Sequence, residues 1–187
     1  MKNRAGTTRR ALVRDAMLIT AGIVAAGGLA STVSGEEAMA QGAGLPGRIP
    51  AEDRLDLLEL MALYAWAYDT QDEAGLAATF TADGELEVFG NVLASGVMGF
   101  GPFLAQAGEM KGESGWQHLA DHHVFRDFDG GSCTIYSYYT MAEANAQGAE
   151  ARVRAIGYYI SQCLRTPEGW RFARRQVVRW NGRKPFA

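Results

Sequence analysis

From Pro50 to Thr70 the chain reads PAEDRLDLLELMALYAWAYDT, with apolar positions at the spacing of a helix. Leu55, Leu58, Ala62, Ala65 and Asp69 follow at intervals of 3, 4, 3 and 4, which sets them on one face. A neighbouring stripe holds Leu57, Met61, Tyr64 and Tyr68, while Glu52, Asp56 and Glu59 take the wet side. The last position of the first stripe is thus an aspartate beside a tyrosine. A buried carboxylate is costly unless something pairs with it, so Asp69 calls for a partner. The bland alternative is a helix that frays after Tyr68, with Asp69 capping the next turn.

The pattern then changes. Asp72 to Phe80 reads as a short helix, broken at Thr81-Ala82-Asp83-Gly84. Glu85 to Phe89 alternates as a strand, Gly90-Asn91 is a two-residue hairpin signal, and Val92 to Val97 is the return strand. Gly99 to Met110 is predicted to be a third helix, with Pro102 in its first turn. Four long strands follow, Trp116–Phe128, Ser132–Asn145, Glu150–Arg165 and Trp170–Trp180, separated by Gly-containing turns. Such short connections require antiparallel neighbours. The expected fold is α+β, a cone-shaped roll with three N-terminal helices packed on a curved, mainly antiparallel sheet. Helices cover one face of such a sheet. The other, carrying Tyr136 and Tyr138, predicts a homodimer or homotrimer. Trp66, on the polar side of the first helix, also points to a subunit contact.

The first forty residues stand apart. Thr8-Arg9-Arg10-Ala11-Leu12-Val13 has the form of a twin-arginine export signal. A Gly- and Ala-rich run follows, then Ala38-Met39-Ala40 as a cleavage site. The run is a poor membrane span, which needs about 20 strongly apolar residues. We therefore expect a signal peptide over 1–40, a flexible lead-in over 41–50, a domain over 51–182, a tail over 183–187, and a periplasmic or otherwise exported protein. Residues 1–40 hold five Lys/Arg and three Asp/Glu, so the remainder is acidic. That argues against nucleic acid or an anionic membrane as a partner.

The three histidines share one window, His118-Leu-Ala-Asp-His122-His123. On a regular strand His118 and His122 share a face about 13 Å apart, and His123 points the other way. No pair there can chelate one ion, so no metal is expected. His118 becomes the candidate partner of Asp69. Cys133 and Cys163 sit at matching distances from the turn near Gln147-Gly148, which makes them cross-strand neighbours, either reduced or bridged. Arg174-Arg175 and Arg152/Arg154 read as solvated strand faces or interface residues. Trp116, Trp170 and Trp180 read as core or cavity lining.

Several strings together resemble one superfamily. Tyr64 to Asp72, YAWAYDTQD, is similar to the Y-x-x-x-x-D-x-x-D segment of SnoaL-like proteins, and Leu76 to Asp83, LAATFTAD, to their L-x-x-L-F-x-x-D. Gly157-Tyr158-Tyr159 and Gly169-Trp170-Arg171-Phe172 resemble their last two strands. The order of elements resembles the nuclear-transport-factor-two-like cone. Within that group Tyr68-Asp69 and Gln117-His118 resemble the aspartate and histidine of scytalone dehydratase and hexachlorocyclohexane dehydrochlorinase. The resemblance implies a cofactor-free, metal-free lyase or isomerase in which Asp69 orients His118 as general base. It implies a small hydrophobic or cyclic substrate in a pocket lined by Tyr64, Tyr68, Phe89, Trp116, His122 and Tyr159. Phe89 stands where the dehydratase has a catalytic tyrosine, so scytalone itself is not the expected substrate. Two alternatives stay open. An epoxide hydrolase would need a second carboxylate and an arginine, for which Glu87 and Arg154 are loose candidates. A ligand-binding or dimerisation module would have its pocket filled by side chains.

Overall fold

A computed structural model describes residues 48–148 and 150–186. The expectations for the signal and most of the lead-in fall on residues 1–47, outside the described residues. Three helices, α1 (Ala51–Thr70), α2 (Glu73–Ala78) and α3 (Phe100–Lys111), alternate early with a hairpin of β1 (Phe80–Val88) and β2 (Asn91–Ser95). Then come β3 (Gly115–Arg126), β4 (Ser132–Ala144), β5 (Ala151–Thr166) and β6 (Gly169–Arg179). The sheet order is β2-β1-β6-β5-β4-β3. All pairs are antiparallel except β1 with β6. The four late strands form the expected meander, and the α+β architecture stands. The parallel β1–β6 contact joins residues about ninety apart, which local patterning does not reveal.

The core stripe of α1 differs from the expected one. Leu57, Leu60, Met61, Tyr64 and Ala67 are buried, whereas Leu55 is 65% exposed and Ala62 is also exposed. The stripe carrying the larger side chains won, because it removes more apolar surface from water. Asp53 belongs to that buried stripe too. It accepts from Trp170 Nε1 at 3.2 Å and pairs with Arg165, tying the start of the helix to β5 and β6. Asp72 caps α2 by accepting from the Gly75 N–H.

The hairpin turns one residue earlier than expected. Val88 pairs with Asn91, so Phe89 and Gly90 are its tip, both at positive φ (54° and 87°). Two positive φ values are what a right-twisted hairpin demands. The inner face of β4, from Cys133 through Ile135, Ser137, Tyr139 and Met141, lies in the core beneath the helices. Cys133 and Cys163 are directly paired across β4 and β5, and both are free thiols. Trp116 and Trp170 are buried as expected, but Trp180 is 46% exposed on the outer face, where its ring meets Tyr138. In the tail, Phe186 packs against Tyr136 at 5.0 Å between ring centroids and covers part of the outer face. Trp66 is 70% exposed, as its place on the polar side implied.

Candidate functional site

Asp69 lies in the last turn of α1, which ends where Gln71 adopts a left-handed conformation. The Asp69 side chain reaches β3. One carboxylate oxygen is 2.5 Å from His118 Nδ1, and the other accepts the His118 backbone N–H at 2.7 Å. Lys111, at the end of α3, donates to the Asp69 backbone carbonyl at 2.7 Å and holds the helix end from the other side. Both side chains are nearly buried, 13% and 12% exposed. A carboxylate bonded to Nδ1–H fixes that tautomer and leaves Nε2 as the basic nitrogen. The His118 ring meets Tyr68 edge-on at 4.7 Å between centroids.

His118 lines a cavity of about 360 Å³ between the helices and the inner face of the sheet. Tyr64, Tyr68, Phe89, Trp116 and Tyr159 line it too, so the structure brings together five of the six residues expected to bind substrate. Burial pushes the phenols of Tyr64, Tyr68 and Tyr159 well above their usual range, so each is a neutral hydroxyl, able to donate to a ligand oxygen.

His122 does not share this cavity. It faces the outer side, 73% exposed, against Asp121 and the ring of Tyr138. The register between β3 and β4 shifts between Asp121 and Val124, adding one residue to β3, and His122 has φ 52°. This β-bulge reverses the alternation. His123, expected on the far face, instead turns inward to Ser137 Oγ at 2.7 Å. Burial, with Arg175 nearby, lowers the His123 pKa and favours its neutral ring. Among the described residues no group of three or more His, Cys, Asp or Glu could hold a metal ion.

Arginines depart most from the sequence reading. Arg175 is fully buried rather than solvated. Its guanidinium lies over the rings of Tyr159, Tyr64 and Phe172 at 3.8, 4.1 and 4.6 Å, and donates to Ser161 Oγ at 3.0 Å. An aromatic cage takes the place of a carboxylate partner. Arg154 and Arg179 reach the cavity wall, together with Tyr139 and Met141. Tyr139 and Met141 were legible in principle, since they continue the inward alternation from Ile135. Arg154, named only as a loose candidate for the epoxide alternative, reaches the wall as the extra residue where β5 shifts register against β4. Arg152 and Arg154 both pair with Glu143, which also accepts from Trp116 Nε1 at 3.2 Å. Glu87 is engaged by Arg174 and Gln176 and is not part of the cavity lining.

A model of the SnoaL-like domain matches residues 50–176, nearly all of the described fold. The chain belongs to the SnoaL-like family. Solved structures agree with this membership. Rv3472 of Mycobacterium tuberculosis, a protein of unknown function, is 25% identical, with a TM-score of 0.62 over 70% of this chain and 73% of that one. ActVI-ORFA of Streptomyces coelicolor is 22% identical, with a TM-score of 0.64 over 73% of this chain and 100% of that one. An NTF2-like protein with a cystatin-like fold from Novosphingobium aromaticivorans is 23% identical, with a TM-score of 0.60 over 71% and 84%. No curated protein matches significantly. This SnoaL-like chain therefore has the curved, open, six-stranded sheet of the NTF2-like fold, with helices packed against it.

Proposed function

We propose that this SnoaL-like domain is a cofactor-free lyase or isomerase acting on a small ring compound, with His118 as general base and Asp69 as its orienter. The observation that carries the reading is the Asp69–His118 hydrogen bond at the wall of an open, largely apolar cavity. His118 Nε2 takes a proton from a substrate carbon. Asp69 stabilises the imidazolium that forms. The neutral phenols of Tyr68, Tyr64 and Tyr159 supply hydrogen bonds to the substrate oxygen on which charge develops. Departure of water or another group from the adjacent carbon completes an elimination; return of the proton elsewhere gives an isomerisation. The likeness of Tyr68-Asp69 and Gln117-His118 to scytalone dehydratase supports the same roles.

The cavity is open rather than filled by side chains, which weighs against a purely structural module. The epoxide reading loses its second carboxylate, since Glu87 is tied to Arg174 and Gln176 away from the cavity. Export by a twin-arginine route and a homodimer or homotrimer belong to the same proposal. The first is supported by the Arg9-Arg10 signal and the second by the exposed apolar side chains of the outer face.

The test is a screen of ring compounds for heat stabilisation of the folded domain, followed by turnover of each hit. Compounds that stabilise wild type and His118→Ala alike, but are converted only by wild type, support the reading. Conversion that survives His118→Ala, or that chelators abolish, overturns it.

A further inference from the structure

The charged side chains that line the cavity are of one sign. Arg154 and Arg179 line it, and no carboxylate does among the described residues. The carboxylates close behind the wall are committed. Asp69 is bonded to His118, and Glu143 is shared between Arg152 and Arg154, so that cluster keeps a net positive charge. Arg179 has no carboxylate within ion-pair distance among the described residues; its guanidinium lies 3.9 Å from the centroid of the Phe89 ring. Arg175, fully buried behind Tyr64 and Tyr159, adds a third guanidinium and, like Arg179, has no carboxylate within ion-pair distance among the described residues.

Two irregularities of the backbone shape this arrangement. A bulge in β5 makes Arg154 the extra residue, so that Arg154 and Ala155 both line the cavity. A left-handed φ at Phe89, with its N–H bonded to the Val177 carbonyl at 2.9 Å, sets the ring against Arg179. Bulges and strained turns recur where a side chain must be aimed at a ligand. An apolar cavity lined by guanidinium groups and no carboxylate among the described residues suits a flat molecule bearing one planar anion, because the guanidinium fork matches a carboxylate.

We propose that the cavity takes a ring compound bearing a carboxylate, with the ring against the aromatic lining and the carboxylate held by Arg179, while Arg154 adds positive charge to the same cavity. This rests on reading the cavity as the reaction site. The anchored carboxylate does no chemistry; it orients the ring so that a C–H bond faces His118 Nε2.

The probes are 2-naphthoate and its neutral isostere 2-naphthamide, titrated calorimetrically into the full chain as wild type, His118→Ala, Arg154→Gln and Arg179→Gln. Naphthoate is expected to bind wild type roughly tenfold tighter than the amide, as one charge-assisted contact at a partly open site provides. The preference should survive in His118→Ala, shrink to about threefold or less in Arg179→Gln, and weaken with added salt. Amide affinity should hold in Arg179→Gln. Equal or better binding of the amide by wild type overturns the proposal, as does no naphthoate binding at millimolar concentration. So does a preference that persists in both arginine variants, or one that vanishes in His118→Ala, which would make a protonated histidine the anion's partner. The wild-type ratio needs no variant to fold. Because His118→Ala binds without turning over, failure of the base mechanism leaves this result readable, and failure of the charge preference leaves the base mechanism standing.

Discussion

Replacing His118 by Ala removes the histidine that lines the cavity, and with it the proposed base. The expected loss of turnover is roughly 10²–10⁴-fold. Asp69→Asn should cost a large but lesser factor, because the ring stays while its tautomer and charge stabilisation are lost. The double variant should be little worse than His118→Ala alone, since the two act as a unit. Single-turnover kinetics on any converted hit would show this, and additive losses would separate the residues. The cysteines give a second prediction. Burial raises the Cys133 thiol to about 11 and the Cys163 thiol further. Both should resist a thiol reagent at pH 8 in the native protein and react together on unfolding. Asp69 was legible at this scale, though through a flawed premise. The stripe that singled it out is half-buried to exposed, and Asp69 borders the true core stripe instead. Its proximity to Tyr68 at a helix end was the sound part. Arg175 was illegible, because a cage of three rings from α1, β5 and β6 exists only once the chain has folded.

Between elements, Glu143 on β4 acts as a clasp, holding Trp116 of β3 and Arg152 and Arg154 of β5. The Arg152 hydrogen bonds, helped by Trp116 and Arg154 and opposed by burial, hold its pKa at about 2, below the ordinary 4.5. A depressed carboxylate stabilises the fold fully above its unfolded value. The clasp's contribution is therefore intact above pH 4.5 and fades as pH falls toward 2. Denaturant midpoints of wild type and Glu143→Gln should differ at pH 6 and converge near pH 2. A constant gap across that range would show that Glu143 acts by shape, without its charge. Strand count, order of the meander and the pairing of the cysteines could all be read from turn positions. The bulges at His122 and Arg154 could not, since one inserted residue reverses the faces beyond it without any change in composition. That effect moved His122 out of the expected pocket and put Arg154, until then a loose candidate for the epoxide alternative, on its wall.

At the scale of the whole molecule, the outer sheet face shows Leu119, Tyr138, Val153, Ile156 and Trp180, each more than two-fifths exposed. The tail covers the region around Tyr136 and leaves the rest open. A dimer or trimer buried there should sediment as such at micromolar concentration, and Ile156→Lys should shift it toward monomer without unfolding it. A monomeric wild type would refute the assembly. The hairpin tip bears on the molecule as a whole in another way. Phe89 is a bulky residue in a left-handed conformation that glycine adopts freely, a cost of about 1 kcal/mol or more. Phe89→Gly should therefore melt no lower than wild type, even though it deletes an aromatic ring. The same change strips a wall from the cavity and leaves Arg179 without its ring. Heat resistance and ligand grip pull in opposite directions at this one position. A laboratory search that rewards only survival on heating would drift toward glycine at the hairpin tip and return a sturdier, emptier protein.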